Sequence, residues 1–295
     1  MDEALPTVPL FSIHREIAMQ LDKLLKQPHA LPSAPKVVRK LMDTFDREEV
    51  DLLYAADLIE SDPVLTAKLI KTANSAFFGL HRTVGNAREA MNMMGLIKVR
   101  ALVIATALGD GFHRLGSVNL NQFWRYSINS ANLSRYIALP IKIDENTAFT
   151  AGLVHGIGEL VMHVGMPEAM IDLDRSVPVL DLKRARAEKG LFGYSYAEVG
   201  AALAREWRFP KKMIDAIEHQ VAPFDNEVYE PIAGVIHIAS WRARAEELSL
   251  GSEGLINTYP DPIGLVLGID PDTVIGEEIP SLTRHTEKSE SFATV

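Results

Sequence analysis

His155 and Glu159 stand four residues apart in the stretch HGIGEL, with Gly156 directly after the histidine. On one continuous helix that spacing would put an imidazole and a carboxylate on the same face. The chain has no cysteine, so histidines and carboxylates are its only side chains suited to a divalent metal. A metal held there, with His219 arriving from a distant segment, could generate a hydroxide nucleophile and neutralise phosphate charge, the chemistry of a phosphohydrolase or phosphodiesterase. Each residue also has a plainer reading. Buried histidines are usually satisfied by hydrogen bonds, and polar pairs at helical spacing are common on wet helix faces. His163 extends the same polar face.

Other strings invite chemistry less strongly. NSAFFG, from Asn74 to Gly79, ends a helix: Phe77 and Phe78 can pin a turn by burial, and Asn74 or Ser75 can bond a neighbouring backbone. KRARAEK and REWRFPKK are basic runs, which read as solvated helix faces. The chain contains no P-loop, no glycine-rich dinucleotide fingerprint and no G-x-S-x-G elbow. Thirty Lys and Arg against thirty-nine Asp and Glu give a net charge of −9, which argues against nucleic acid and anionic membranes as partners. The start, MDEALPTVPLF, is acidic and proline-broken, unlike a signal peptide, and no apolar run reaches the length of a membrane span. A cytoplasmic protein is the expectation.

The elements that must position these residues are helices. Apolar residues recur at helical spacing almost throughout, predicting an all-α chain with helices over 13–25, 37–45, 51–60 and 63–78. Asp62 is the expected N-cap of the last of these, Pro63 its first helical residue, and Gly79 its left-handed stop. Helices over 86–94, to a stop at Gly95, and over 97–108 follow. The cluster GDGFHRLGSVN breaks the pattern and divides two helical subdomains. Beyond it the spacing predicts helices near 121–138, 145–164, 180–189, 195–207, 210–219 and 228–247. The expected organisation is a helical extension over 1–28, a helical bundle over 29–115, a second helical subdomain over 116–247 and an extension with a polar tail over 248–295.

The strings ALPSAPKVVRKL, LIESDPVLTAKLIKTANSAFFG and AREAMNMMGLIKVRALVIAT, in this order, resemble the HDOD family. FWRYS, AGLVHGIGEL, YSYAEVGAALAREWRFP and AIEHQ extend the resemblance, which covers roughly residues 25–225, to the region of that family related to the HD metal-dependent phosphohydrolases. In the HD enzymes, histidines and aspartates from separate helices converge on one or two metals. By this resemblance, the first histidine falls on Tyr126, the HD pair on His155 and Gly156, a later histidine on Tyr196, paired histidines on His219 and Gln220, and the closing aspartate on Ser240. Two histidines remain, beside phenols, an amide, a hydroxyl and a residue without a side chain.

The resemblance therefore implies a regulatory HDOD module of bacterial signal transduction that works through a protein partner, with no cofactor and no metal. The vestigial pocket of Tyr126, His155, Gly156, Glu159, Tyr196, His219, Gln220 and Ser240 could hold a small-molecule regulator. Asp62, Pro63, Asn74, Ser75, Phe77 and Gly79 are expected to act structurally. Related modules are often fused to receiver or cyclic-dinucleotide domains, for which these 295 residues leave no room, so input is expected in trans. The rival is a metal-dependent phosphohydrolase with a rearranged site at His155, Glu159 and His219.

Overall fold

In the computed structural model of the chain, the described residues are 52–61, 63–74, 81–96, 118–206 and 209–276, together with Leu21, Lys23, Leu24, Val99, Val103 and Ile279. Every regular element among them is a helix. The first group comprises α1 (Leu52–Glu60), α2 (Pro63–Ala73) and α3 (Ala87–Met94), which pack on one another. Pro63 takes the first helical position of α2, where its missing N–H costs nothing. Asn86 caps α3 by accepting from the Glu89 amide at 2.7 Å. Gly95 ends it at φ +82. Asp62, Ser75, Phe77 and Gly79 lie outside the described residues, as do the helix expected over 37–45 and most of those expected over 13–25 and 97–108. Asn74 is described. Its amide donates to the Val84 carbonyl at 2.8 Å and its Oδ1 accepts from the Val84 N–H at 2.7 Å, a two-point clamp on the chain leading to α3.

The second group follows the expected pattern with one consequential break. α4 (Leu120–Ala138) packs along α5 (Glu145–Val154), but the single helix expected over 145–164 is two helices. α5 stops at His155, Gly156 adopts φ −92 and ψ 3, and α6 (Ile157–Gly165) starts afresh. The path is set by what each side of the break packs on. A Cβ on Gly156 would lie 3.4 Å from the Phe123 ring of α4, whereas one on Gly158 would lie 2.0 Å from the Tyr196 carbonyl. The second distance shows two backbones in direct contact, a crossing that a side chain would forbid.

α7 (Pro167–Ser176) is a helix the periodicity did not single out, opened by proline at its first position. α8 (Arg184–Phe192) begins later than the expected residue 180 and ends at Gly193, φ +83. α9 (Tyr196–Glu206) lies across α6 and beside α10 (Lys211–His219). α11 (Pro231–Glu247) is flanked by α4, α5 and α10 and is buried along most of its length. Residues 248–276 continue the same core. α12 (Ser252–Thr258), α13 (Asp261–Leu267) and α14 (Asp272–Ile275) bury Leu255, Tyr259, Ile263 and Val274. Trp241 of α11 meets the Tyr259 ring edge-on at 5.6 Å and donates to Thr258 at 3.0 Å. None of the described helices is long and apolar enough to cross a membrane.

Candidate functional site

The residues mapped to an HD centre come from α4, the α5–α6 break, α9, α10 and α11. His155 is fully buried. Its Nδ1 lies 2.6 Å from the Gly152 carbonyl, which can only accept, so Nδ1 carries the proton. Its Nε2, 2.6 Å from the Tyr126 hydroxyl, then accepts from the phenol. Burial, helped by the charge of Arg244, pushes the imidazole down to about 3, in keeping with this neutral tautomer. Tyr126 is pushed the other way by burial, which holds its phenol protonated. The Phe123 ring beside Gly156 also packs edge-on to Tyr126, centroids 6.4 Å apart.

Arg244, which sequence reasoning missed, links Tyr126 to Tyr196. Its Nη2 donates to the Tyr196 hydroxyl at 2.8 Å, and its guanidinium carbon stands 5.3 Å from the Tyr126 ring centroid and 5.6 Å from that of Tyr196. A signal was available: on α11, His237, Ser240 and Arg244 share a face, and Arg244 lies within a helix otherwise dominated by apolar and small residues.

Three mapped residues play other parts. Gln220 donates to the backbone carbonyls of His155 at 2.8 Å and Ile217 at 3.0 Å, tying the α5–α6 break to the end of α10. Ser240 donates to the His237 carbonyl at 3.2 Å. His219 is half-buried in the last turn of α10, and among the described residues no hydrogen bond joins its ring to Tyr126, His155 or Tyr196. His237 instead reaches this region, its Nδ1 lying 2.7 Å from the Gln220 carbonyl.

Glu159 corrects the opening expectation. The break at Gly156 separates it from His155, and it enters a second buried centre. Arg184 of α8 donates from Nη2 to Glu159 Oε1 at 2.5 Å, from Nε to Glu188 at 2.9 Å and from Nη1 to the Val177 carbonyl at 2.5 Å, with Asp174 Oδ1 2.8 Å from Nη1. The KRARAEK run is thus no solvated face at Arg184 and Glu188, which are fully buried. Their spacing of four residues was the legible sign of a pair. Burial, then the neighbouring Glu188, raises Glu159 well above the carboxylate range.

Glu159, His163 and Asp174 bring ligand-type atoms within 4.8 Å of one another. They do not fit a metal. His163 Nδ1 is 2.8 Å from the Glu159 carbonyl and Nε2 is 3.0 Å from Asp174, so both ring nitrogens serve acceptors, while Arg184 already supplies the cation. Nor do the mapped HD residues. Both nitrogens of His155 are engaged, phenols and a serine stand where histidines and an aspartate would coordinate, and a guanidinium lies among them.

A profile of the HDOD domain matches residues 31–223, well over half of the chain. The chain belongs to the HDOD family. Among solved structures it is similar to a candidate phosphohydrolase from Shewanella amazonensis SB2B, at 26% identity and a TM-score of 0.69, covering 88% of this chain and 91% of the other. An HDOD domain protein of unknown function from Geobacter sulfurreducens shares the fold at 23% identity and a TM-score of 0.67, with 90% and 94% covered. So does a candidate signal transduction protein from Marinobacter aquaeolei VT8, at 20% identity and a TM-score of 0.68, with 90% and 61% covered. An uncharacterized protein of Treponema pallidum (strain Nichols) is 28% identical over 226 residues, 72% of this HDOD chain. The match spans only 42% of that relative.

Proposed function

We propose that this HDOD protein is a non-catalytic regulatory module of signal transduction that acts through contact with a protein partner. The observation that carries the reading is the content of the mapped HD centre: a neutral His155 with both nitrogens engaged, two protonated phenols and the Arg244 guanidinium. A hydroxide nucleophile needs a base or a metal to generate it, and a phosphoryl group in flight needs charge placed around it. This set supplies a cation but no base and no ligand set. The fold remains, and a helical frame with a silenced centre is suited to recognition.

The test uses the full chain purified without added metal. Bound metal is measured, then hydrolysis of nucleotides, cyclic dinucleotides and a generic phosphodiester with Mn²⁺, Mg²⁺ or Ni²⁺. Turnover at the buffer blank is expected. A stoichiometric divalent ion, or turnover abolished by His155→Ala, would move the protein to the phosphohydrolase class.

A further inference from the structure

Arg244 is only 8% exposed, and among the described residues no carboxylate pairs with it. Its contacts are neutral: the Tyr196 hydroxyl at 2.8 Å and the two phenol rings. Among the described residues its Nε has no hydrogen-bond partner. A guanidinium offers five N–H donors in a planar fork, and a buried one lacking a counter-charge is costly. The surroundings do not discharge it. Glu159 is the acid whose field reaches Arg244, but burial and Glu188 hold it toward its neutral form. His155 is neutral, and burial keeps Tyr126 and Tyr196 protonated. His237, half-buried on the same face of α11, also lies within the field of Arg244 and is pushed down by its own burial and by that charge.

We propose that Arg244, framed by Tyr126 and Tyr196 on the α11 face shared with Ser240 and His237, binds a small tetrahedral oxyanion: free phosphate or the phosphate group of a small metabolite. The guanidinium fork matches two oxygens of such an anion. This assignment rests on the reading of a centre without metal chemistry, and the two fail separately. Metal-dependent turnover sinks that reading, whereas the absence of an anion response sinks this one.

The full chain is titrated with inorganic phosphate at constant ionic strength in a chloride background. Tyrosine difference absorbance should respond saturably, with half-saturation at about 1 mM, and the melting temperature should rise above that concentration. Arg244→Gln should weaken the response at least about tenfold, the loss of a charge-assisted bidentate contact. Arg175→Gln, at an exposed position, should leave it unchanged. If Arg244→Gln does not fold, Tyr196→Phe decides: it keeps the cation, frees Nη2 and should tighten phosphate binding. Adenosine monophosphate separates the sources, an equal response assigning the phosphate of a metabolite and a much weaker one assigning free phosphate. No saturable phosphate response, or one untouched by both Arg244→Gln and Tyr196→Phe, overturns the proposal.

Discussion

Arg184 and Arg244, two of the guanidiniums buried in one helical frame, are held in opposite ways. Arg184 meets Glu159, Asp174, Glu188 and a carbonyl, while Arg244 meets phenols. The first centre has more acid than cation, and burial with the neighbouring Glu188 favours a proton on Glu159. The second has a cation and no acid. The difference teaches that burial alone does not say what a charged side chain is for. A closed ion network fixes helices in place, whereas an unmatched charge retains binding capacity. The centres are nevertheless joined: the Tyr196 amide donates to Glu188 at 2.7 Å, while its phenol accepts from Arg244.

The sharpest way to break this comparison is to remove each cation. Arg184→Met strands three acids in the interior and is expected to cost about 3–5 kcal/mol, the range for breaking a buried ion pair by removing one partner. Arg244→Met removes an unmatched charge along with its phenol contacts and should cost about 1 kcal/mol, because relief from desolvation offsets what is lost. Urea unfolding of both variants decides. Equal losses would mean that the Arg244 charge is compensated after all.

The next effect concerns the crossing that joins the centres. Gly158→Ala would place a methyl 2.0 Å from the Tyr196 carbonyl and 2.6 Å from the Gly200 nitrogen, both backbone atoms. Separating α6 from α9 should cost about 3 kcal/mol, at the upper end for overpacking. Tyrosine near-UV dichroism should change with it, since Tyr196 moves. A variant that melts with the wild type would contradict the close approach.

The helices were legible because the core face of each recurs every three or four residues, and family-typical strings added their order. The limits of α4, α9 and α10 fall within one residue of the periodic reading. The break at His155 was not legible, since Gly156 is tolerated within a helical pattern and the packing that ends α5 comes from Phe123, over thirty residues earlier. The expectation that His155 and Glu159 share a face failed with it. His155 and Tyr126 do meet directly, and Tyr196 joins them only through Arg244. That link could not be read from the family mapping, which follows positions of lost ligands and is silent on a cation four residues beyond the last of them. The Arg184 centre was hidden for another reason. Its members come from three helices, and the spacing of Arg184 and Glu188 marks a pair without showing that the pair turns inward.

The centres should also differ in the sign of their pH dependence. His155 has its folded value depressed to about 3, so the unfolded chain binds more protons in mild acid. Its contribution is complete above the usual imidazole value and is lost as pH falls toward 3. Between pH 7 and 5 this should remove about 2 kcal/mol. Glu159 is raised, so its contribution is complete at low pH and is lost as pH rises through its folded value. From pH 5 to 7 the His155 gain opposes the Glu159 loss in the wild type, so unfolding free energy should rise by about 2 kcal/mol less, or fall that much more, across this range in His155→Gln. An unchanged slope in that variant would remove His155 as the source.

The smallest effect tests the other glycine of HGIGEL. Gly156 sits at φ −92 and ψ 3, backbone that an L residue adopts without strain, and a Cβ there would meet Phe123 at 3.4 Å and Tyr126 at 3.8 Å, ordinary contact distances. Alanine would lose little in the folded state and would restrict the unfolded chain, so Gly156→Ala should change stability by less than about 1 kcal/mol in either direction. Gly156→Asp, which restores the residue type of an HD pair, differs because its carboxylate must enter beside Phe123 and Tyr126 with no ligated metal to meet it, a burial worth about 2 kcal/mol of destabilisation. The ordering of the three variants is the measurement: Gly156→Ala near wild type, Gly156→Asp lower, Gly158→Ala lowest. If Gly156→Ala fell as far as Gly158→Ala, both glycines would be crossing points, and the break that sends His155 and Glu159 to separate centres would need another cause.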